Sequence, residues 1–378
     1  MFEYVRLRRW PDVEGDNLFA SDAADRLIAD VARDAVGGNA QDAPGALVVI
    51  GDAYGALTLA AADDGARGIR VHQDPLTGER ALAANAAALG LADAYTVHPL
   101  DTSLVTGARV VLLRLPRSLD ALAEIAALIA EHAHPEVVVV AGGMLKHMSV
   151  AMNEVLGNVF GSVTASLARQ KARVLTAREP HSVAAIALAR WPERAYDDEL
   201  GLWVCAHGAA FAGTSVDIGT RFLLSVIDDA VPDARTAVDL GCGTGVLATA
   251  LARRRPGLQV TATDQSAAAV ASATATAAAN HVSDRVTVVR DDGLASQQDA
   301  SAELIVLNPP FHIGAAVHTG IAHRMFADAG RVLAPGGELW TVWNSHLGYR
   351  AALERAVGPT RQIARNAKFT VTASRRSQ

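Results

Sequence analysis

Thr236-Ala237-Val238-Asp239-Leu240-Gly241-Cys242-Gly243-Thr244-Gly245 decides how the rest of the chain is read. An apolar strand, Thr236 to Leu240, runs into a glycine-rich turn, and a helical stretch follows from Val246 to Arg253. Glycines in such a turn let backbone N–H groups approach a ligand closely at a helix N-terminus. Further on, a second apolar strand, Leu304 to Leu307, ends in Asn308-Pro309-Pro310-Phe311-His312. Ligands of open α/β sheets bind beyond the carboxyl ends of the strands. The two runs therefore predict a cofactor site beside a reaction site.

A glycine turn alone does not name its ligand, because dinucleotide-binding turns look similar. Here the pattern is Gly241-x-Gly243-x-Gly245, with Asp239 two residues ahead of it. A carboxylate there suits a cationic amino acid better than a pyrophosphate. The next strand, Gln259 to Thr263, ends in Asp264, placed to accept both hydroxyls of a ribose. After the strand Arg285 to Val289 come Asp291 and Asp292, in reach of an adenine amino group. Amino acid, ribose and adenine together make S-adenosyl-L-methionine. The plain alternative is a tight turn with capping carboxylates and no ligand.

Asn308-Pro309-Pro310-Phe311 suits methyl transfer to an amine conjugated with a ring or carbonyl. Such a nitrogen is a weak nucleophile because its lone pair is delocalised. Acceptors on both N–H groups return density to it, and the Asn308 side-chain oxygen and the Pro309 carbonyl are the expected pair. The prolines hold that carbonyl rigidly, since their φ is fixed. This is orientation with electrostatic preorganisation. Phe311 offers a flat face for a base. His312 is a candidate contact to base or phosphate. His312, His318 and His323 have no cysteine or carboxylate at ligand spacing, so no metal is expected. Phe211 is expected in the core, with capping of the pocket as the alternative. Trp340 and Trp343 are expected on one core-facing side of a strand.

Asn308 to His312, together with Phe211 to Leu224 (FAGTSVDIGTRFLL), resembles the ribosomal RNA guanine-N2 methyltransferases. Within that family the chain is more similar to the large-subunit (RlmG) type than to the small-subunit (RsmC) type. Supporting segments are Gly51 to Leu57, Leu115 to Leu119, Gly142 to His147 and Thr164 to Arg173. The resemblance covers nearly the whole chain. It implies two tandem Rossmann-like class I methyltransferase domains, the first degenerate. It also implies methylation of a guanine of 23S rRNA by the C-terminal domain and RNA recognition by the N-terminal one. A 16S rRNA substrate, the glutamine amide of a release factor and a nonenzymatic RNA-binding module are the alternatives.

The 378 residues suggest two domains, and half are hydrophobic. Two distant cysteines, Cys205 and Cys242, argue against a disulfide framework. With neither a signal peptide nor an apolar run long enough to span a membrane, a cytoplasmic location is expected. The net charge of −6 makes the location of basic residues matter more than their number. Basic clusters occur at Arg6/Arg8/Arg9, Arg169/Lys171/Arg173/Arg178, Arg253 to Arg255 and Arg361/Arg365/Lys368. Arg169, Lys171 and Arg173 are the expected RNA contacts.

The halves repeat one another. Gly51 lies 190 residues before Gly241, Asp74 lies 190 before Asp264, and Arg114-Leu115-Pro116 lies 194 before Asn308-Pro309-Pro310. In the first copy Val49 replaces Asp239, Ala53-Tyr54 replaces Gly243-Thr244, and Arg114 replaces Asn308. Arginine cannot accept a hydrogen bond. The first copy is thus expected to keep its fold, with Asp74 as a surviving ribose carboxylate, and to bind no cofactor. The boundary is expected in the polar stretch Trp191 to Leu200, giving a degenerate domain 1–195 and a catalytic domain 196–378. A closing antiparallel hairpin, Thr360 to Arg365 and Lys368 to Thr372, is expected across Asn366-Ala367.

Overall fold

The computed structural model describes residues 2–36, 45–310 and 315–377. Two compact units divide the chain, Met1–Trp191 and Pro192–Gln378. The first contains strands β1 (Leu47–Ile50), β2 (Ile69–His72), β3 (Tyr95–Val97), β4 (Val110–Arg114), β5 (Val138–Met144), β6 (Phe160–Ala165) and β7 (Ala172–Pro180). The second contains a hairpin, β8 (Glu193–Asp197) and β9 (Leu202–Ala206). Its main sheet is β10 (Thr236–Leu240), β11 (Gln259–Asp264), β12 (Val286–Arg290), β13 (Ala302–Leu307), β14 (Leu333–Asn344), β15 (Thr360–Arg365) and β16 (Phe369–Arg375).

The two main sheets have the same order, β3-β2-β1-β4-β5-β7-β6 and β12-β11-β10-β13-β14-β16-β15. In each, five strands run parallel and the last two close the sheet in antiparallel pairs. Both units are therefore doubly wound α/β domains of the expected type, and the β15–β16 hairpin closes the second sheet. Central strands such as Leu47–Ile50 are buried on both faces, as parallel strands covered by helices must be. Leu47 and Val49 point into one apolar cluster, Val48 and Ile50 into the other.

Three expectations about local structure need correction. The polar stretch after Trp191 is not a linker: Glu193–Asp197 pairs antiparallel with Leu202–Ala206, so a cut after residue 195 would fall inside β8. Trp340 and Trp343 are three residues apart and so face opposite sides of β14, one in each core cluster. The repeat offset of 190 fails at the second strand. Ile50 pairs with His72 where Leu240 pairs with Thr263. Gly51 N–H donates to His72 O as Gly241 N–H does to Thr263 O. The residue equivalent to Asp264 is therefore Gln73, and the first unit lacks the ribose carboxylate as well.

Candidate active site

Asp239 is the fourth residue of β10, 1% exposed. Its Oδ2 accepts the Ala248 N–H at 3.0 Å, capping the helix Val246–Arg254, while Oδ1 is buried with no hydrogen-bond partner. Burial pushes its pKa up to about 7, the Ala248 N–H pulls the other way, and the nearby Asp264 adds to the rise. Asp239 does not line the cavity above it. Its carboxylate lies beneath the turn rather than in the cavity wall.

Above Asp239 the chain turns through Gly241, Gly243 and Gly245 at φ of 71°, 53° and 74°, a left-handed backbone that glycine adopts without penalty. A Cβ on Gly245 would come within 2.8 Å of the Ala273 Cβ, so this glycine is needed for two helices to pack closely. A Cβ on Gly243 would meet nothing within 4 Å, leaving open space over the middle of the turn. Asp264 stabilises the turn from the neighbouring strand end. Its Oδ2 accepts Gly243 N–H at 3.0 Å and its Oδ1 accepts Ser266 N–H at 2.9 Å. The carboxylate also forms part of the cavity wall at this strand end.

A cavity of about 360 Å³ opens at this edge. Gly241, Gly243, Asp264, Asp291, Asp292, Asn308, Pro309 and Pro310 all contribute to its wall. Not all of them offer a free group. The Asp291 carboxylate accepts from Asp292 N–H, Ser296 N–H and the Ser296 hydroxyl, all within 2.9 Å, so it holds its own loop. Asp292 pairs with Arg324 at 3.2 Å. Phe311 and His312 lie outside the described residues. Arg169, Lys171 and Arg173 belong to the first unit, on and before β7. There Arg169 pairs with Asp30 at 3.3 Å, Lys171 is exposed, and Arg173 is half-buried with an unpartnered Nε.

Asn308 is fixed by two hydrogen bonds from its amide nitrogen. Its Nδ2 donates to Asp217 Oδ2 and to Thr220 Oγ1, each at 3.0 Å. Both side-chain protons are thereby engaged, the amide cannot flip, and Oδ1 is left buried without a partner. Asp217 is itself fixed, because it caps the helix Ile218–Leu224 through Gly219 and Thr220 N–H. Gly219 permits the approach: a Cβ there would lie 2.9 Å from Asp217 Oδ2 and 3.3 Å from Asn308 Oδ1.

Three contributors were not singled out in the sequence. Asp217 and Thr220 lie within the Phe211 to Leu224 segment that carries the family resemblance but had no role of their own there, though an aspartate just ahead of a helical run is recognisable as a cap, and Arg324 carried no signal. Phe211, expected in the core, is 62% exposed and lines the cavity.

The groups present fit S-adenosyl-L-methionine. A left-handed glycine turn has open space above it, a strand-end carboxylate lines the cavity, and an unanswered buried carboxylate oxygen lies below.

Residues 201–373 match the methyltransferase small domain family, and residues 1–181 match the RLMG N-terminal domain family. Ribosomal RNA large subunit methyltransferase G of Streptomyces coelicolor is 36% identical over 378 residues, covering 97% of this chain and 96% of the relative. Its namesake in Ectopseudomonas mendocina is 37% identical over 376 residues, covering 98% and 97%. Among solved structures, a T. thermophilus 16S rRNA N2 methyltransferase (RsmC), in complex with AdoMet and guanosine, shares the fold at a TM-score of 0.71. That pair is 20% identical, covering 99% of this chain and 98% of the other. On identity sustained over nearly its whole length, the chain belongs to the ribosomal RNA large subunit methyltransferase G family.

Proposed function

We propose that this chain transfers a methyl group from S-adenosyl-L-methionine to the exocyclic N2 amine of a guanine in 23S ribosomal RNA, in the cytoplasm. The second unit is the catalytic one and the first recognises RNA. The observation that carries this reading is Asn308, whose oxygen is buried, unpartnered and locked in orientation at the cavity wall. The names of the relatives supply the ribosomal RNA and the large subunit.

S-adenosyl-L-methionine, when bound, supplies an electrophilic methyl group. Asp264 would accept the ribose hydroxyls, the Gly241–Gly245 turn would lie against the amino-acid portion, and Asp239 would favour its positive charge from below. Asp292 would receive the adenine amine after giving up Arg324. Asn308 Oδ1 accepts one N–H of the guanine amine, and the Pro309 carbonyl is the expected second acceptor. With both N–H groups held, the nitrogen lone pair points along one direction and regains density lost to the ring. Neither acceptor is a base. The proton is lost to water from the methylated nitrogen, which is strongly acidic while it carries positive charge.

A release-factor glutamine presents the same two N–H groups. Incubating the chain with labelled cofactor and, separately, 23S rRNA, 16S rRNA and release factors tests the proposal. Label in 23S rRNA, on N2 of a guanine, is expected; label in protein alone or in 16S rRNA alone would overturn it.

A further inference from the structure

The first unit has a cavity of its own, about 400 Å³, at the carboxyl ends of β4 and β5. Its place in that sheet is the place the Asn308 end of the cavity holds in the second. β4 and β13 occupy the same position in the strand order, and Arg114-Leu115-Pro116 stands where Asn308-Pro309-Pro310 stands. Even the supporting groups correspond. Arg114 is gripped by Asp22 at 2.8 Å and Asp25 at 2.9 Å, ahead of the helix Ala23–Val36 and within it. Asn308 is gripped by Asp217 and Thr220, ahead of and within the helix Ile218–Leu224.

What lines the cavity has changed sign. Asp22, Arg114, Arg117, Lys146 and His147 contribute to it, three permanent cations against one carboxylate. The Arg114 charge is answered by its two aspartates. Arg117 and Lys146 are exposed and form no ion pair among the described residues. Several other basic residues of this chain are engaged internally. Arg8 pairs with Glu14, Arg9 with Asp12 and Arg361 with Glu338, while Arg255 donates to carbonyls of Ile227, Asp228, Ala230 and Val231. In a chain of net charge −6, two cations without an ion-pair partner at one cavity concentrate positive charge there. Some loss of hydration holds the exposed His147 ring below its usual pKa, and the charges of Arg117, Lys146 and Arg114 add to this. The basic run found in the sequence adjoins the cavity: Lys171 O accepts the Leu145 N–H at 2.8 Å, and Arg173 is in register with Gly143 of the cavity wall.

An arginine and a lysine with no acceptor beside them cannot grip an amine, as Asn308 does. They suit phosphate oxygens, the guanidinium as a planar fork and the ammonium as a point charge. We propose, on the reading above that ribosomal RNA is the substrate, that this cavity of the first unit binds a phosphodiester of that RNA through Arg117 and Lys146. The place where the second unit takes a base has become, in the first, a place for the backbone.

The test uses the full chain, 23S rRNA as probe, and the variants Arg117→Gln, Lys146→Gln and the double. Neither side chain has a partner to lose, so the fold should survive, and S-adenosyl-L-methionine affinity serves as the check. RNA affinity is measured over a salt series. The slope of log affinity against log salt should become shallower by about 1 per residue, as expected for one phosphate contact each. KM for RNA should rise with kcat nearly unchanged. Lys146→Arg should restore most of the binding. Wild-type RNA affinity and slope in the double variant would overturn the inference. So would inorganic phosphate or guanosine monophosphate binding at this cavity without competing with RNA, which would mark a free-anion site. An acidic peptide displaced by the same substitutions, with RNA binding intact, would reassign the cavity to a protein partner. A parent protein unable to methylate ribosomal RNA would defeat the functional reading instead.

Discussion

The two units solve the same backbone problem with different residues. Each has a helix starting at the glycine turn, and in each a carboxylate accepts an N–H of its first turn. In the second unit that carboxylate is Asp239 on the strand, bonded to Ala248 N–H at 3.0 Å. In the first it is Asp52 in the turn, bonded to Leu57 and Thr58 N–H at 2.7 and 2.8 Å. Asp52 uses both oxygens; Asp239 leaves one unanswered. The turn is braced differently too. Asp264 accepts Gly243 N–H, whereas Gln73 donates to the carbonyl of Ala53, which holds a left-handed φ of 56° where glycine stood. Tyr54 roofs the first turn, its hydroxyl donating to Asp12 at 2.6 Å and its ring lying 4.6 Å under Arg9. At the end of the fourth strand, Arg114 is clamped by two carboxylates while Asn308 keeps a bare oxygen.

The difference separates what the fold requires from what chemistry requires. A capped helix and a braced turn appear in both units. Two buried acceptors without partners, each costing about 1–3 kcal/mol to leave so, are Asp239 Oδ1 and Asn308 Oδ1 in the second unit, where the first has Val49 and Arg114.

The comparison breaks most sharply at Asn308. Replacing it with alanine should lower the rate of methyl transfer by about 100-fold or more, as loss of one preorganised acceptor does elsewhere. Cofactor affinity, measured by titration calorimetry, should hardly move. Turnover near that of the parent would mean that the amine is oriented by another group.

Asp217→Ala should follow, with a fall in kcat of about tenfold or more, because a freed amide can present nitrogen where oxygen is needed. The helix loses its cap as well, about 1 kcal/mol, visible as a small drop in Tm. Unchanged kcat with a lowered Tm would reduce Asp217 to a cap alone.

Asp264→Ala should weaken cofactor binding by about tenfold while changing kcat at saturation less. Gln73→Ala, its counterpart in the first unit, should leave cofactor binding as it was.

The smallest effect concerns pH. Asp239 titrates near 7 before ligand arrives, and only its ionised form favours a cation. Cofactor affinity should therefore rise about fivefold from about pH 6 to about pH 7, and Asp239→Asn should flatten that rise. The sign for stability is opposite. A carboxyl with a raised folded pKa favours the fold fully below its unfolded value, and that contribution disappears as pH rises through about 7. An affinity that falls over this range would remove Asp239 from the cofactor's surroundings.

Much of the fold was legible because strand and turn signals are local. The runs Leu47–Ile50, Ile69–His72 and Thr236–Leu240 and the closing hairpin came directly from apolar runs bounded by turn residues. What failed depended on partners distant in sequence. Asp217 and Asn308 are 91 residues apart, and although both segments carried the family resemblance, nothing local in either showed that the two side chains bond. The mistaken match of Asp74 with Asp264 came from carrying one offset across strands whose connections differ by one residue. Strand pairing, not sequence distance, identifies Gln73 as the equivalent. Glu193–Asp197 read as a polar break because a two-stranded hairpin with one wet face is poor in apolar residues. Phe211 read as core because an aromatic lining an open cavity has the same composition as a buried one.

The central claim is that the fold was kept twice and the ligand site once. Calorimetric titration of the intact chain with S-adenosyl-L-methionine tests it most directly, with Asp264→Ala and Gln73→Ala variants run alongside. One molecule bound per chain, weakened by Asp264→Ala and indifferent to Gln73→Ala, is the predicted result. Two molecules per chain, or binding that survives Asp264→Ala and is lost with Gln73→Ala, would contradict it.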